Sequence, residues 1–214
     1  MSKQVTITID DREVTMPEGQ ILLWAALDND IYIPHLCGIK EAGRPAASCR
    51  LCFVEIDGYL NPVTSCTQPV KDGMVVRTRS KRVDRLVRTG FELLLSNHRL
   101  GCAKCGKNGS CALQKIAKER GLKLKLTRLK PMAEDWPVDD SPQSFSYDNG
   151  RCVLCGRCIW VDQQEVGVGA IGYIRRGMSR KVATFGDVSL ADSKCTQCGE
   201  CVKACPVGAL TPKE

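Results

Sequence analysis

The chain has 214 residues, a formal net charge of +7, 43% hydrophobic but only 5% aromatic residues, and fourteen cysteines. So few aromatics leave ordinary apolar cores thin, and so many cysteines demand either a disulfide or a metal framework. The positive charge is no argument for nucleic acid, because it counts every cysteine as neutral and bound thiolates would offset it.

Residues 1–78 form the first region. Val5-Thr6-Ile7-Thr8-Ile9 alternates as a strand, Asp10-Asp11 makes a tight turn, and Glu13 to Met16 returns as the hairpin partner. Pro17-Glu18-Gly19 breaks the pattern before a short amphipathic helix, Gln20 to Asp28, with Ile21, Leu22, Ala25 and Leu27 available for burial. Phe53 to Ile56 reads as another strand, and Val75-Val76 begins a last one. This α+β order fits a β-grasp domain. It carries Cys37, Cys49, Cys52 and Cys66, the first three in loops of glycine, alanine and serine. Small residues let backbone N–H groups approach sulfur, which suits a [2Fe–2S] cluster. Zinc sites usually pair two close-spaced dyads, and this region has one, Cys49 with Cys52.

Residues 79–126 form a small helical region. Ser80 to Asn97 is helical in pattern, with Val83, Leu86, Val87, Phe91, Leu94 and Leu95 on one side. His98, Cys102, Cys105 and Cys111 follow, with three, two and five residues between them. One imidazole and three thiolates can hold a [4Fe–4S] cluster; a Cys3His zinc site and a helix-terminal cation are the competing readings. Ala112 to Arg120 is a second helix, broken by Gly121. The basic stretch Lys115 to Lys130 reads as a solvated face rather than a docking patch. Residues 127–150, punctuated by Pro131, Pro137 and Pro142, read as a connector.

Residues 151–214 hold two runs. Cys152, Cys155 and Cys158 are spaced two apart; Cys195, Cys198 and Cys201 repeat that spacing and Cys205-Pro206 completes the run. This is the bacterial dicluster pattern, in which the fourth cysteine of a run ligates the other cluster. Cys205 therefore joins Cys152, Cys155 and Cys158 in a second [4Fe–4S] cluster. The first run has Asp162 where its fourth cysteine should stand. Three outcomes follow for Cys195, Cys198 and Cys201: oxygen ligation by Asp162, another donor or a [3Fe–4S] cluster, or an empty site. Trp160 beside this motif is better read as packing than as an electron-hopping group. Fourteen thiolates on four cores of about +2 each add about −6 and bring the loaded chain near +1.

The succession Cys37/Cys49/Cys52/Cys66, His98/Cys102/Cys105/Cys111 and a dicluster module resembles the N-terminal iron–sulfur part of the complex I large subunit. It is equally similar to the iron–sulfur subunit of soluble NAD-linked hydrogenases, the N-terminal region of iron-only hydrogenases and parts of NAD-dependent formate dehydrogenases. Asp139-Asp140-Ser141-Pro142 and Gly167 to Gly172 share in the likeness. The resemblance implies a wire without an active site of its own. Single electrons would pass between a flavin/NAD(P)-binding diaphorase subunit and a hydrogenase or formate dehydrogenase catalytic subunit. A free-standing multicluster ferredoxin or redox sensor and a zinc-binding interaction protein are the alternatives. Gly167-Val168-Gly169-Ala170 lacks the strand–turn–helix context of a dinucleotide fingerprint. The start, Met1 to Val5, runs into a strand pattern with no apolar leader, and Ile21 to Leu27 is too short to span a bilayer. The expectation is a cytoplasmic protein with reduced thiols, no membrane span and no nucleic-acid partner.

Overall fold

A computed structural model describes residues 3–132 and 134–213; Met1, Ser2, Ala133 and Glu214 lie outside them. The chain packs as two compact units, residues 1–91 and 92–214.

The first unit begins with the expected hairpin. β1 (Gln4–Ile9) pairs antiparallel with β2 (Arg12–Pro17), from Gln4 opposite Pro17 to Ile9 opposite Arg12. Asp10 and Asp11 both take positive φ, 48° and 65°, as a two-residue turn matched to strand twist requires. Val5, Ile7 and Ile9 face the core while Thr6 and Thr8 face out. α1 (Leu22–Asp28) starts two residues later than the sequence suggested, because the Ile21 backbone is extended and bridges Pro69. That shift buries Leu22, Leu23, Ala25 and Ala26, and leaves Ile21 and Leu27 partly buried. β3 (Phe53–Ile56) pairs with β4 (Val63–Thr64), a two-residue strand that periodicity could not reveal. β5 (Val75–Arg77) lies between β1, parallel, and β3, antiparallel. The sheet order is β2-β1-β5-β3-β4.

α2 (Lys81–Ser96) is capped by the Ser80 hydroxyl, which accepts the Val83 N–H at 3.1 Å. Val83, Val87, Phe91 and Leu95, four apart, form its buried line, with Leu86 and Leu94 half-buried beside them. The division between the units falls within this helix.

In the second unit α3 (Ala112–Arg120) ends on Gly121 in the left-handed conformation, φ 63°. The stretch expected to be a connector carries β6 (Phe145–Tyr147), which pairs with β9 (Leu210–Pro212). Three residues are too few for a visible alternation, so the pairing partner alone defines this strand. α4 (Arg157–Trp160) runs into a π-helical turn, Val161–Glu165. β7 (Ile171–Ile174) and β8 (Lys181–Thr184) make a hairpin, and α5 (Glu200–Ala204) precedes Cys205. Residues 92–126 and 151–214 pack together within the second unit. The Ala112 N–H donates to the Pro206 carbonyl at 2.9 Å, and the Arg99 N–H to the Gly150 carbonyl at 2.6 Å. Most of the basic stretch is exposed as expected, but Arg120 is buried and Arg128 pairs with buried Glu92 at 2.7 Å. Among the described residues no helix is long and apolar enough to cross a membrane.

Candidate iron–sulfur sites

All fourteen cysteines are free thiols. In the first unit Cys37, Cys49, Cys52 and Cys66 are buried, and they converge as two pairs. The Cys49 N–H points at Cys37 Sγ at 3.5 Å. A hydrogen bond from Cys49 pulls the Cys37 thiol down to about 5, and the donor Cys49 is pushed up in return. Likewise a hydrogen bond from Cys52 lowers Cys66 while Cys52 rises. The charges of Cys37 and Cys49 also act on Cys66, so the two pairs share one locality. Ala47 and Arg50, flanking Cys49, take φ of 46° and 51°, a conformation that costs residues with a side chain. The turn is held against α2: a Cβ at Gly90 would stand 2.7 Å from the Arg50 carbonyl oxygen. That role of Gly90 was not legible in the sequence, where it sits inside a helical pattern.

His98 lies two residues past the end of α2. Its Nδ1 lies 2.9 Å from the Arg151 carbonyl oxygen. A carbonyl only accepts, so Nδ1 carries the proton and Nε2 keeps a free lone pair. Burial lowers the His98 pKa and favours this neutral form. His98, Cys102, Cys105 and Cys111 line one cleft. Burial raises the Cys111 thiol, with the Cys105 and Cys102 charges adding to it. Gly208 closes the cleft so tightly that a Cβ there would collide with Cys105 Sγ.

The two later runs have the same backbone. Leu154 and Gln197 take φ of 53° and 55°, and Gly156 and Gly199 take 79° and 78°. In each, the residue before the second cysteine donates its N–H to the first sulfur, Leu154 to Cys152 and Gln197 to Cys195, both at 3.4 Å. Burial pushes Cys152 up to about 12, and the charges of Cys155 and Cys205 act on it. Cys158 rises well above its usual value through burial and then the charges of Cys152, Cys155, Cys205 and Cys201. Cys205 therefore stands near Cys152 and Cys158, and Cys201 stands near both runs. Burial pushes Cys201 up to about 12, followed by the charges of Cys195, Cys198 and Asp162. Asp162 lies in the π-helical turn, an irregularity often found at functional positions. Its carboxylate accepts the Ile171 N–H at 3.0 Å. Cys152, Cys155, Cys158 and Cys205 are buried, whereas Cys195 and Cys201 are half-buried and Cys198 is exposed. Trp160 is half-buried at the end of α4.

Among the described residues no group of three or more His, Cys, Asp or Glu side chains is disposed to hold a metal ion as it stands. The fit to a cluster rests instead on donor chemistry. Soft thiolates are gathered in sets, N–H groups face sulfur, the histidine tautomer exposes Nε2, and a glycine gives room beside Cys105.

Three protein-family models match the chain: a 2Fe-2S iron–sulfur cluster binding domain over residues 2–81, the NADH-ubiquinone oxidoreductase-G iron–sulfur binding region over 88–124, and the NADH-quinone oxidoreductase subunit 3 ferredoxin-like domain over 144–211. The chain is 39% identical over 223 residues to the NADP-reducing hydrogenase subunit HndD of Solidesulfovibrio fructosivorans, covering 98% of this chain and 36% of that protein. It is 32% identical over 216 residues to the mitochondrial NADH-ubiquinone oxidoreductase 78 kDa subunit of Neurospora crassa, covering 98% of this chain and 28% of that one. The chain thus spans only about a third of the length of these curated relatives. A chain in the crystal structure of an NAD+-reducing [NiFe]-hydrogenase in the H2-reduced state matches with a TM-score of 0.86 at 32% identity, over 98% of this chain and 87% of that one. With that near-complete match and all three cysteine regions covered, the chain belongs to the family of iron–sulfur subunits that NAD(P)-linked hydrogenases and NADH-quinone oxidoreductases share.

Proposed function

We propose that this chain is an electron-transfer subunit that passes single electrons between a flavin/NAD(P)-binding diaphorase subunit and a catalytic subunit of hydrogenase or formate dehydrogenase type. The observation that carries the reading is that the fourteen cysteines and His98 fall into four neighbourhoods, three of them with a backbone N–H pointed at sulfur. When bound, iron–sulfur clusters supply one-electron chemistry at potentials set by ligands, hydrogen bonds and burial. The protein holds the donors in place, excludes water from the buried sets and points N–H groups at sulfur.

These neighbours support the following ligand sets. Cys37 with Cys49, and Cys52 with Cys66, hold one iron each of a [2Fe–2S] cluster in a β-grasp domain, residues 1–78. His98 Nε2 with Cys102, Cys105 and Cys111 holds a [4Fe–4S] cluster in 79–126. Cys152, Cys155, Cys158 and Cys205 hold the second, in a dicluster domain, 151–214, reached through 127–150. Cys195, Cys198 and Cys201 hold the last, with Asp162 as its oxygen ligand. The repeated turn supports an occupied last site, because a strained φ at Gln197 persists only where the surroundings use it. The cytoplasm is the compartment that suits this many reduced thiols.

Anaerobic purification with metal and sulfide analysis tests the proposal. More than about ten irons per chain, with matching acid-labile sulfide, is the expected result. Zinc in place of iron, or a colourless protein, overturns it. Co-purification of a flavin-bearing subunit supports the partner assignment. A fully active carrier found alone would favour a free-standing ferredoxin.

A further inference from the structure

Arg151 sits between two of the proposed sites and belongs to neither ligand set. Its carbonyl accepts the His98 Nδ1 proton at 2.9 Å, and its peptide bond leads directly into Cys152. Its side chain turns back into the cleft that His98, Cys102, Cys105 and Cys111 line. Nη1 lies 3.7 Å from where a Cβ of Gly208 would stand, the same point that Cys105 Sγ crowds, and Nη2 lies 3.8 Å from the corresponding point at Gly101. The glycines at 101 and 208 therefore let a guanidinium approach the cysteine loop. At its other end Nε lies 3.1 Å from Asp148 Oδ2, and both side chains are largely shielded, 17% and 13% exposed. Asp148 Oδ1 and Arg151 Nε are both buried without a hydrogen-bond partner, so charge holds the pair, and Asp148 Oδ2 also lies 3.8 Å from Arg99 Nη1.

A cation held by a largely shielded ion pair is screened far less than a surface charge. Adding an electron to a thiolate-ligated cluster makes it more negative. A nearby cation favours that reduced form, and a nearby anion opposes it. We propose that Arg151 is a positioning and potential-setting residue for the His98 cluster: its carbonyl fixes the imidazole tautomer, its guanidinium raises the reduction potential, and Asp148 holds that guanidinium and moderates it. The inference rests on the ligand reading of His98, Cys102, Cys105 and Cys111 given above.

The test is an EPR-monitored redox titration of the full chain, purified anaerobically, as wild type, R151Q, R151K and D148N. The signal of the His98 cluster is identified first as the one altered by H98C. R151Q is expected to lower its midpoint by about 59 mV, a tenfold change in the reduced-to-oxidised ratio for a one-electron couple. D148N is expected to raise it, R151K to leave it near wild type, and the other signals to stay in place. Shifts of opposite sign are what a loss of packing cannot produce. Unchanged midpoints, or shifts of the same sign in R151Q and D148N, overturn the inference while the cluster itself stands. Should R151Q lose the cluster, D148N decides: a raised midpoint supports the inference and an unmoved one overturns it. A wild-type chain with no signal sensitive to H98C removes the ligand reading itself, which is a different failure.

Discussion

At the scale of single residues, the sites depend as much on glycines as on cysteines. Gly208→Ala places a methyl group against Cys105 Sγ. We expect loss of the cluster proposed at His98, about four irons per chain, with the other signals retained; iron analysis and EPR check it. Asp162→Ala should change only the cluster proposed at Cys195, Cys198 and Cys201, seen as an altered EPR signal and faster loss of one iron to chelators. An unaltered signal would take Asp162 off the ligand list. Cysteine spacing made the proposed ligand sets readable as candidates in the sequence, since each spacing is a local signature. Gly208, Gly90 and Arg151 were not legible, because their importance comes from residues far along the chain that approach them.

At the scale of elements, α2 serves the first site through its backbone. Gly90→Ala must move the helix or the Arg50 carbonyl. The expected outcome is a perturbed [2Fe–2S] spectrum in visible circular dichroism, with the remaining clusters unaffected. Ser80→Ala removes the cap and should cost about 1 kcal/mol without touching any spectrum, as chemical denaturation can measure. The long elements were readable from periodicity: the hairpin of β1 and β2, the body of α2, and α3 with its stop at Gly121. β4, β6 and β9 were not, because two or three residues carry no period and become strands only through their partners. The π-helical turn at Asp162 was equally hidden, being a backbone irregularity with no composition of its own.

At the scale of the whole chain, the two units differ in what holds them. Residues 1–91 contain a continuous apolar core between α1 and the sheet, including Ile7, Ile9, Leu22, Leu23, Ile33 and Val54. Residues 92–214 carry ten of the fourteen cysteines on short elements, so more of their cohesion must come from metal. Removing iron with a chelator should therefore lower the melting temperature of 92–214 well below that of 3–91. Hydrogen exchange read by mass spectrometry on the apo chain resolves the two. Equal loss of protection in both would count against this account. The sequence marked three cysteine regions but not this division, because spacing along a chain does not reveal which regions share a core.

The pairing of β6 with β9, and the seat of Gly208 beside Cys105, impose a timetable on biogenesis. A ribosome has released every donor proposed for the first site once residue 66 has emerged, and the sheet of that unit is complete once β5 follows, so it can mature early. The pocket at His98 lacks its wall, and the Cys152 set its last thiolate, until Cys205 to Leu210 have been made. Iron delivered too soon would meet half-formed cages, so iron loading of the second unit should follow synthesis of residue 210.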